Sequence, residues 1–201
     1  MSDLLALLPA DASPEGSERV ASAPVSTLFP SRWSRRAFAE RPVPEETVRT
    51  LFEAARWAPS CFNDQPWRFV VASPASHPRF VGLLNEANQV WASRAPVLAF
   101  LLARRNFTRN DKPNRFAAFD AGAAWMSLAL QAHALGLSAH AMAGIRSEAV
   151  IEELEIDTEQ WELLCAIAVG WPGDPATLPE GKREMEKPNG RKELGEVFEV
   201  R

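Results

Sequence analysis

The sequence predicts a single helix-and-sheet domain of the α/β or α+β class. Segments with helical periodicity are interleaved with four or five short runs of strand length. One helix-length segment, residues 117–135, is apolar on nearly every side, which calls for burial at the centre of the fold or at a subunit interface. The chain has 201 residues, enough for one sizeable core.

The elements follow in order. Residues 9–30 are rich in proline, serine and alanine and read as an extended lead-in. Between Glu45 and Trp57, Val48, Leu51, Phe52 and Ala55 share one helical face, and Pro44 and Pro59 frame that helix. Trp67 to Ala72 reads as a strand and Phe80 to Trp91 as one helix. Val97 to Ala103 is a continuous apolar run after Pro96, as expected of a buried strand. Gly136 suits the position just past the apolar helix. Ala139 to Met142 reads as a brief strand, and Ser147 as the cap of a helix running to Leu154. Leu163 to Val169 is a second buried strand, stopped by Gly170-Trp171-Pro172-Gly173. Leu194 to Val200 reads as a final extended segment.

Composition excludes several classes. A net charge of −4 argues against general nucleic-acid binding. No run of 18 apolar residues is present, so no membrane-spanning helix is expected. The apolar run Leu4-Leu5-Ala6-Leu7-Leu8 follows Asp3 where an export signal carries a cation, so it reads as a short helix or arm. Two cysteines, Cys61 and Cys165, do not make a disulfide framework, and a reducing cytoplasm is the default. His77, His133 and His140 lack metal spacing, and no metal site is expected. Neither a Walker sequence nor a Gly-x-Gly-x-x-Gly sequence occurs.

Two segments carry chemistry. Pro59-Ser60-Cys61-Phe62-Asn63-Asp64-Gln65-Pro66 is a stiff polar loop between a helix and a strand, and its Ser, Asn and Gln side chains suit a flat heteroaromatic ring. It reads equally as an ordinary connector. Arg32-Trp33-Ser34-Arg35-Arg36 holds three guanidinium groups that suit phosphate; the plain alternative is a solvated basic patch. Arg191-Lys192 is a second basic pair behind Pro188-Asn189-Gly190.

The blocks RWSRRAF, PVPEETVRTLFEAARWAPSCFNDQPWRFVV, NQVWASRAPVLAFLLA, FDAGAAWMSLALQAHALGL, HAMAGI and GRKEL occur in an order that resembles the FMN-dependent nitroreductase family. The resemblance runs from about residue 28 to the C-terminus and implies an FMN-binding domain over 25–201, preceded by an extension, 1–24, that is poorly ordered or a short helix. It implies an α+β fold with a mixed, mainly antiparallel sheet of four to five strands flanked by helices, in a homodimer.

Roles at matching positions come from the resemblance. Arg32 and Ser34 would hold the FMN phosphate and ribityl chain, with Arg191 as a C-terminal phosphate ligand. Arg36 and Asn88 would face the pyrimidine edge of the flavin. Pro59, Ser60, Cys61, Asn63 and Gln65 would reach a flavin across the dimer interface. Ala143 and Gly144 would present backbone to flavin N5, the atom that carries the chemistry, so no catalytic side chain is expected. Asn189 stands where many relatives place a second basic residue, and Arg35 is an additional cation. Cys61 reads as packing rather than a redox nucleophile. Trp125 and Phe119 are candidates to line the space over the ring, and Arg115 to face an anionic substrate; a solvated charge is the plainer reading of Arg115.

The implied activity is reduction of nitroaromatic, quinone or related small-molecule acceptors by NAD(P)H in a ping-pong cycle. The same scaffold hosts flavin and enone reductases, dehalogenases and dehydrogenases, and a flavin-binding module without turnover is the non-enzymatic alternative.

Overall fold

A computed structural model describes residues 19–201. The expected helix or arm over residues 4–8 lies outside the described residues. Of the lead-in expected over 9–30, residues 9–18 also lie outside the described residues, 19–27 are irregular as expected, and Leu28 to Pro30 instead belong to one helical turn, α1 (Leu28–Ser31).

The sheet has four strands, β1 (Trp67–Val71), β2 (Val97–Arg104), β3 (Ser138–Met142) and β4 (Trp161–Gly170), in the order β1-β2-β4-β3. Every pairing is antiparallel. β1 and β3 therefore form opposite edges, about three strand spacings or ~14 Å apart. A register shift at Leu101/Leu102 marks a bulge between β2 and β4.

Helices α2 (Glu45–Arg56) and α5 (Ala117–Ala134) cover one sheet face, where Leu51, Ala124, Leu128, Leu101 and Ile167 form the core. Ala117, Ala121, Ala124, Ala129 and Ala132 are buried on α5, so that helix approaches its neighbours closely. The other face is covered by α3 (His77–Gly82), α4 (Glu86–Ala92), α6 (Ser147–Glu153) and the segment around Phe38. Two short turns, α7 (Glu180–Arg183) and α8 (Leu194–Val197), follow the sheet.

Three expectations need correction. The helix expected over Phe80 to Trp91 is two helices. It breaks because Leu84 forms a bridge with Ile145, the Asn85 N–H donates to Gly144 O, and the Asn85 side chain then caps α4 through the Asn88 N–H. Ser147 is the first residue of α6 and makes no capping bond. Leu194 to Val197 forms a helical turn instead of extended chain, closed by a reciprocal box between Glu193 and Glu196.

The apolar helix ends as expected. Gly136 has φ 76°, its N–H donates to His133 O, and the Leu137 N–H reaches back to Ala132 O, which satisfies the last carbonyls of α5. Its far side is not buried in one chain. Phe119 is 77% exposed, and Ala118, Gly122 and Met126 are exposed beside it.

Candidate functional site

The sequence-predicted residues fall into two groups. The first lies beside β3. Arg32, Ser34, Arg35 and Arg36 follow α1, and the Arg32 guanidinium points its Nη1 at Ser34 Oγ, 3.5 Å away. Burial lowers the pKa of Arg32, and the neighbouring Arg191 charge lowers it further. No carboxylate pairs with Arg32 or Arg191 among the described residues. Two cations held close together without a counter-charge make a site for an anion.

Arg35 does not join them in the open. Its guanidinium stacks 4.4 Å over the Trp33 ring and feels the Glu186 carboxylate. Glu186 also accepts the backbone N–H groups of Arg36 and Ala37 at 2.9–3.0 Å, which fixes the end of the arginine segment.

A continuous set of contacts joins these arginines to Asn88 and Gly144. His140 Nδ1 lies 3.0 Å from Arg35 O, and its ring packs 4.7 Å from the Trp91 ring. Trp91 Nε1–H donates to Asn88 Oδ1 at 3.2 Å, and Asn88 Nδ2 donates to Gly144 O at 3.0 Å. A Cβ at Gly144 would overlap the side-chain amides of Asn85 and Asn88, so a larger residue there would have to displace them. Ala143, next to it, is exposed. Burial holds the His140 pKa at about 4, against the raising effect of the Arg35 carbonyl and with Arg36 and Arg32 lowering it.

The second group is the loop. Cys61 to Asn63 form a 3-10 turn after α2, and Phe62, Asn63 and Gln65 all have positive φ, near 50–56°. Such backbone in non-glycine residues is strained. Local bonds hold it: Gln65 N–H donates to Ser60 Oγ, and Gln65 Nε2 to Asn63 O. The Cys61 N–H donates to the buried Asp120 carboxylate at 3.0 Å, and Asp64 accepts from Thr108 N and Oγ1. Pro59, Asn63 and Gln65 are exposed. Phe62 is also exposed; it packs edge-on against Phe107, with the Arg109 guanidinium 3.7 Å over its ring.

These groups occupy opposite corners of one chain. Asp120, in the first turn of α5, holds the loop, whereas His133, in its last turn, lies 2.7 Å from Ser31 beside the arginines. Thirteen residues of helix separate them by about 20 Å. The loop also precedes edge strand β1, while Ala143 and Gly144 follow the opposite edge strand β3.

Trp125 is half-buried against the core, Phe119 is exposed, and Arg115 stacks on the Phe116 ring. Cys165 is partly buried, and burial pushes its thiol up to about 11. Among the described residues no cluster of His, Cys, Asp and Glu fits a metal, and no helix is long and apolar enough to cross a membrane. A groove of about 740 Å³ runs along α2 to Val71, but none of the predicted ligand residues line it.

Three residues with parts in these corners escaped the sequence reading: Arg19, Asp120 and Glu186. Only Asp120 left a signal, as the single acidic residue in the most apolar helix.

A helix-covered antiparallel sheet defines the class, an α+β fold, and the Arg32 and Arg191 guanidinium groups, paired with no carboxylate among the described residues, make a corner suited to an anion. The chain belongs to the Nitroreductase family, whose model matches residues 30–171. A Streptomyces coelicolor protein provisionally named NADH dehydrogenase/NAD(P)H nitroreductase is 30% identical over 177 residues, covering 78% of this chain and 89% of that one. Nitroreductase NfnB of Mycolicibacterium smegmatis is 44% identical over a shorter stretch, 30% of this chain and 26% of its own. A crystal structure described as an oxidoreductase containing FMN superposes with a TM-score of 0.86 at 44% identity, covering 91% of this chain and 95% of that one. A nitroreductase-like structure from Desulfovibrio desulfuricans in complex with FMN gives 0.69 at 26% identity, with 90% and 98% covered.

Proposed function

We propose that this chain is an FMN-dependent oxidoreductase that draws electrons from NAD(P)H and reduces nitroaromatic, quinone or related small acceptors in a ping-pong cycle, as a homodimer with flavin at the interface. The observation that carries it is the Arg32 and Arg191 guanidinium pair, which no carboxylate among the described residues balances, in a corner joined through His140, Trp91 and Asn88 to Gly144. Its chemistry suits a phosphate with a flat polar ring attached. Relatives described as containing FMN support the same reading.

In this reading Arg32, Ser34 and Arg191 hold the phosphate and ribityl chain. Arg36 and Asn88 face the pyrimidine edge of the ring, and positive charge there favours its reduced form. Gly144 and Ala143 bring backbone close to the ring. When bound, FMN supplies a ring that accepts two electrons and passes them on, so no side-chain acid or base is assigned.

Pro59, Ser60, Cys61, Asn63 and Gln65 act on the flavin held by the other subunit. Their position at the opposite corner from the arginines supports this, because one small cofactor does not reach both groups of one chain. The exposed apolar face of α5 and the exposed Val197, Phe198 and Val200 of the C-terminal arm are surfaces a second copy would cover.

Purified protein should be yellow and release FMN on denaturation; colourless protein that gains no flavin on titration sinks the proposal. Arg32→Ala should weaken FMN binding by about 1–3 kcal/mol, the value of a charge-assisted hydrogen bond. Mixing the Arg32→Ala chain with a Ser60→Ala/Asn63→Ala chain tests the shared site. Random dimers should regain about one quarter of the parent sites, since half are mixed and each mixed dimer has one intact site. No recovery would mean that the loop serves its own chain.

A further inference from the structure

We infer that Arg19, in the segment ahead of the family match, is a positioning residue that assembles the phosphate corner. This rests on the reading of that corner as the FMN phosphate site. Arg19 is only 7% exposed, an unusual state for a cation. Its Nε donates to Asn189 O at 2.6 Å, and its Nη1 to Arg32 O at 2.8 Å and Pro30 O at 3.1 Å. One planar group thus grips three carbonyls from two distant parts of the chain. One belongs to Arg32 itself, and another lies two residues before Arg191. The clamp brings together the two proposed phosphate ligands, which are 159 positions apart in sequence.

Arg19 has its pKa lowered first by burial and then by the Arg191 and Arg32 charges. The Arg19 clamp holds the Arg32 and Arg191 ends of the chain near one another against the mutual repulsion of their charges, and an anion between those two would be attracted to both. A lysine has the charge but not the fork that reaches three carbonyls at once. Glu186 supplies a second staple from the same C-terminal segment by accepting the Arg36 and Ala37 N–H groups. The arginine segment is thereby held at both ends.

The test uses the full chain titrated with FMN and with riboflavin, which differ by the phosphate alone. In Arg19→Gln the FMN Kd should rise about tenfold or more, while the riboflavin Kd stays within about twofold of the parent. Arg19→Lys should lose part of the same preference for FMN over riboflavin. An unchanged FMN Kd in both variants, or an equal loss for FMN and riboflavin, would overturn the inference. A parent chain that binds neither flavin would instead remove the functional reading beneath it. Should Arg19→Gln fail to fold, Arg19→Lys decides by the same ratio.

Discussion

The arginine corner and the loop corner are built in opposite ways. The arginine corner is drawn from residues 19–37, 88–91, 140–144 and 186–191, and long-range polar contacts hold it. The loop corner is almost local. Eight residues fold on themselves through strained backbone, and Asp120 and Asp64 tie them down. One corner collects charge from across the chain; the other fixes the shape of a single short segment. A site that binds phosphate at one end and positions a flat ring at the other needs both.

Changes at each corner should therefore fail in different ways. The largest effect is expected from acid on the arginine corner. His140, held near pKa 4, stays neutral in the folded chain, whereas the unfolded chain protonates it near 6.5. Between those values the unfolded state binds more protons, so stability is full above about pH 6.5 and falls as pH drops toward 4, by on the order of 3 kcal/mol. His140→Gln should flatten most of that slope in denaturant titrations run across this range; an unchanged slope would exclude His140 as its source. His133, lowered by burial and by Arg32 and Arg35, adds a residual slope of the same sign.

A smaller effect belongs to the loop corner. Asp120→Ala strands the Cys61 N–H and should cost about 1–3 kcal/mol, with faster amide exchange confined to residues 60–65. Asp120→Asn retains an oxygen acceptor and should lose less. Equal losses in the two variants would show that the acceptor is not what Asp120 contributes. The smallest effect is expected at Arg109, whose guanidinium covers the exposed Phe62 ring. Arg109→Ala should cost about 0.5–1 kcal/mol of loop stability and leave FMN binding unchanged. A loss of FMN affinity would join the two corners more tightly than their separation suggests.

How much of this the sequence disclosed follows the same division. The helix and strand order was legible because periodicity, Pro44, Pro59 and Gly136 are local signals. The break at Leu83 to Asn85 was not, because contacts with Gly144 and Ile145, some 60 residues away, create it. The loop and the arginine run stood out as short dense motifs. Arg19 and Glu186 did not, since each is an ordinary charged residue until folding sets it against a backbone from elsewhere. The apolar character of residues 117–135 was plain, but periodicity alone did not say whether the protein core or a second chain covers its outer face.

Helix α5 carries one further consequence. Its first turn anchors the loop through Asp120 and its last turn touches the arginine segment through His133. In the proposed dimer with shared sites, that helix would be a strut whose two ends belong to different catalytic centres. Communication between the two centres would then follow from the wiring of a single helix.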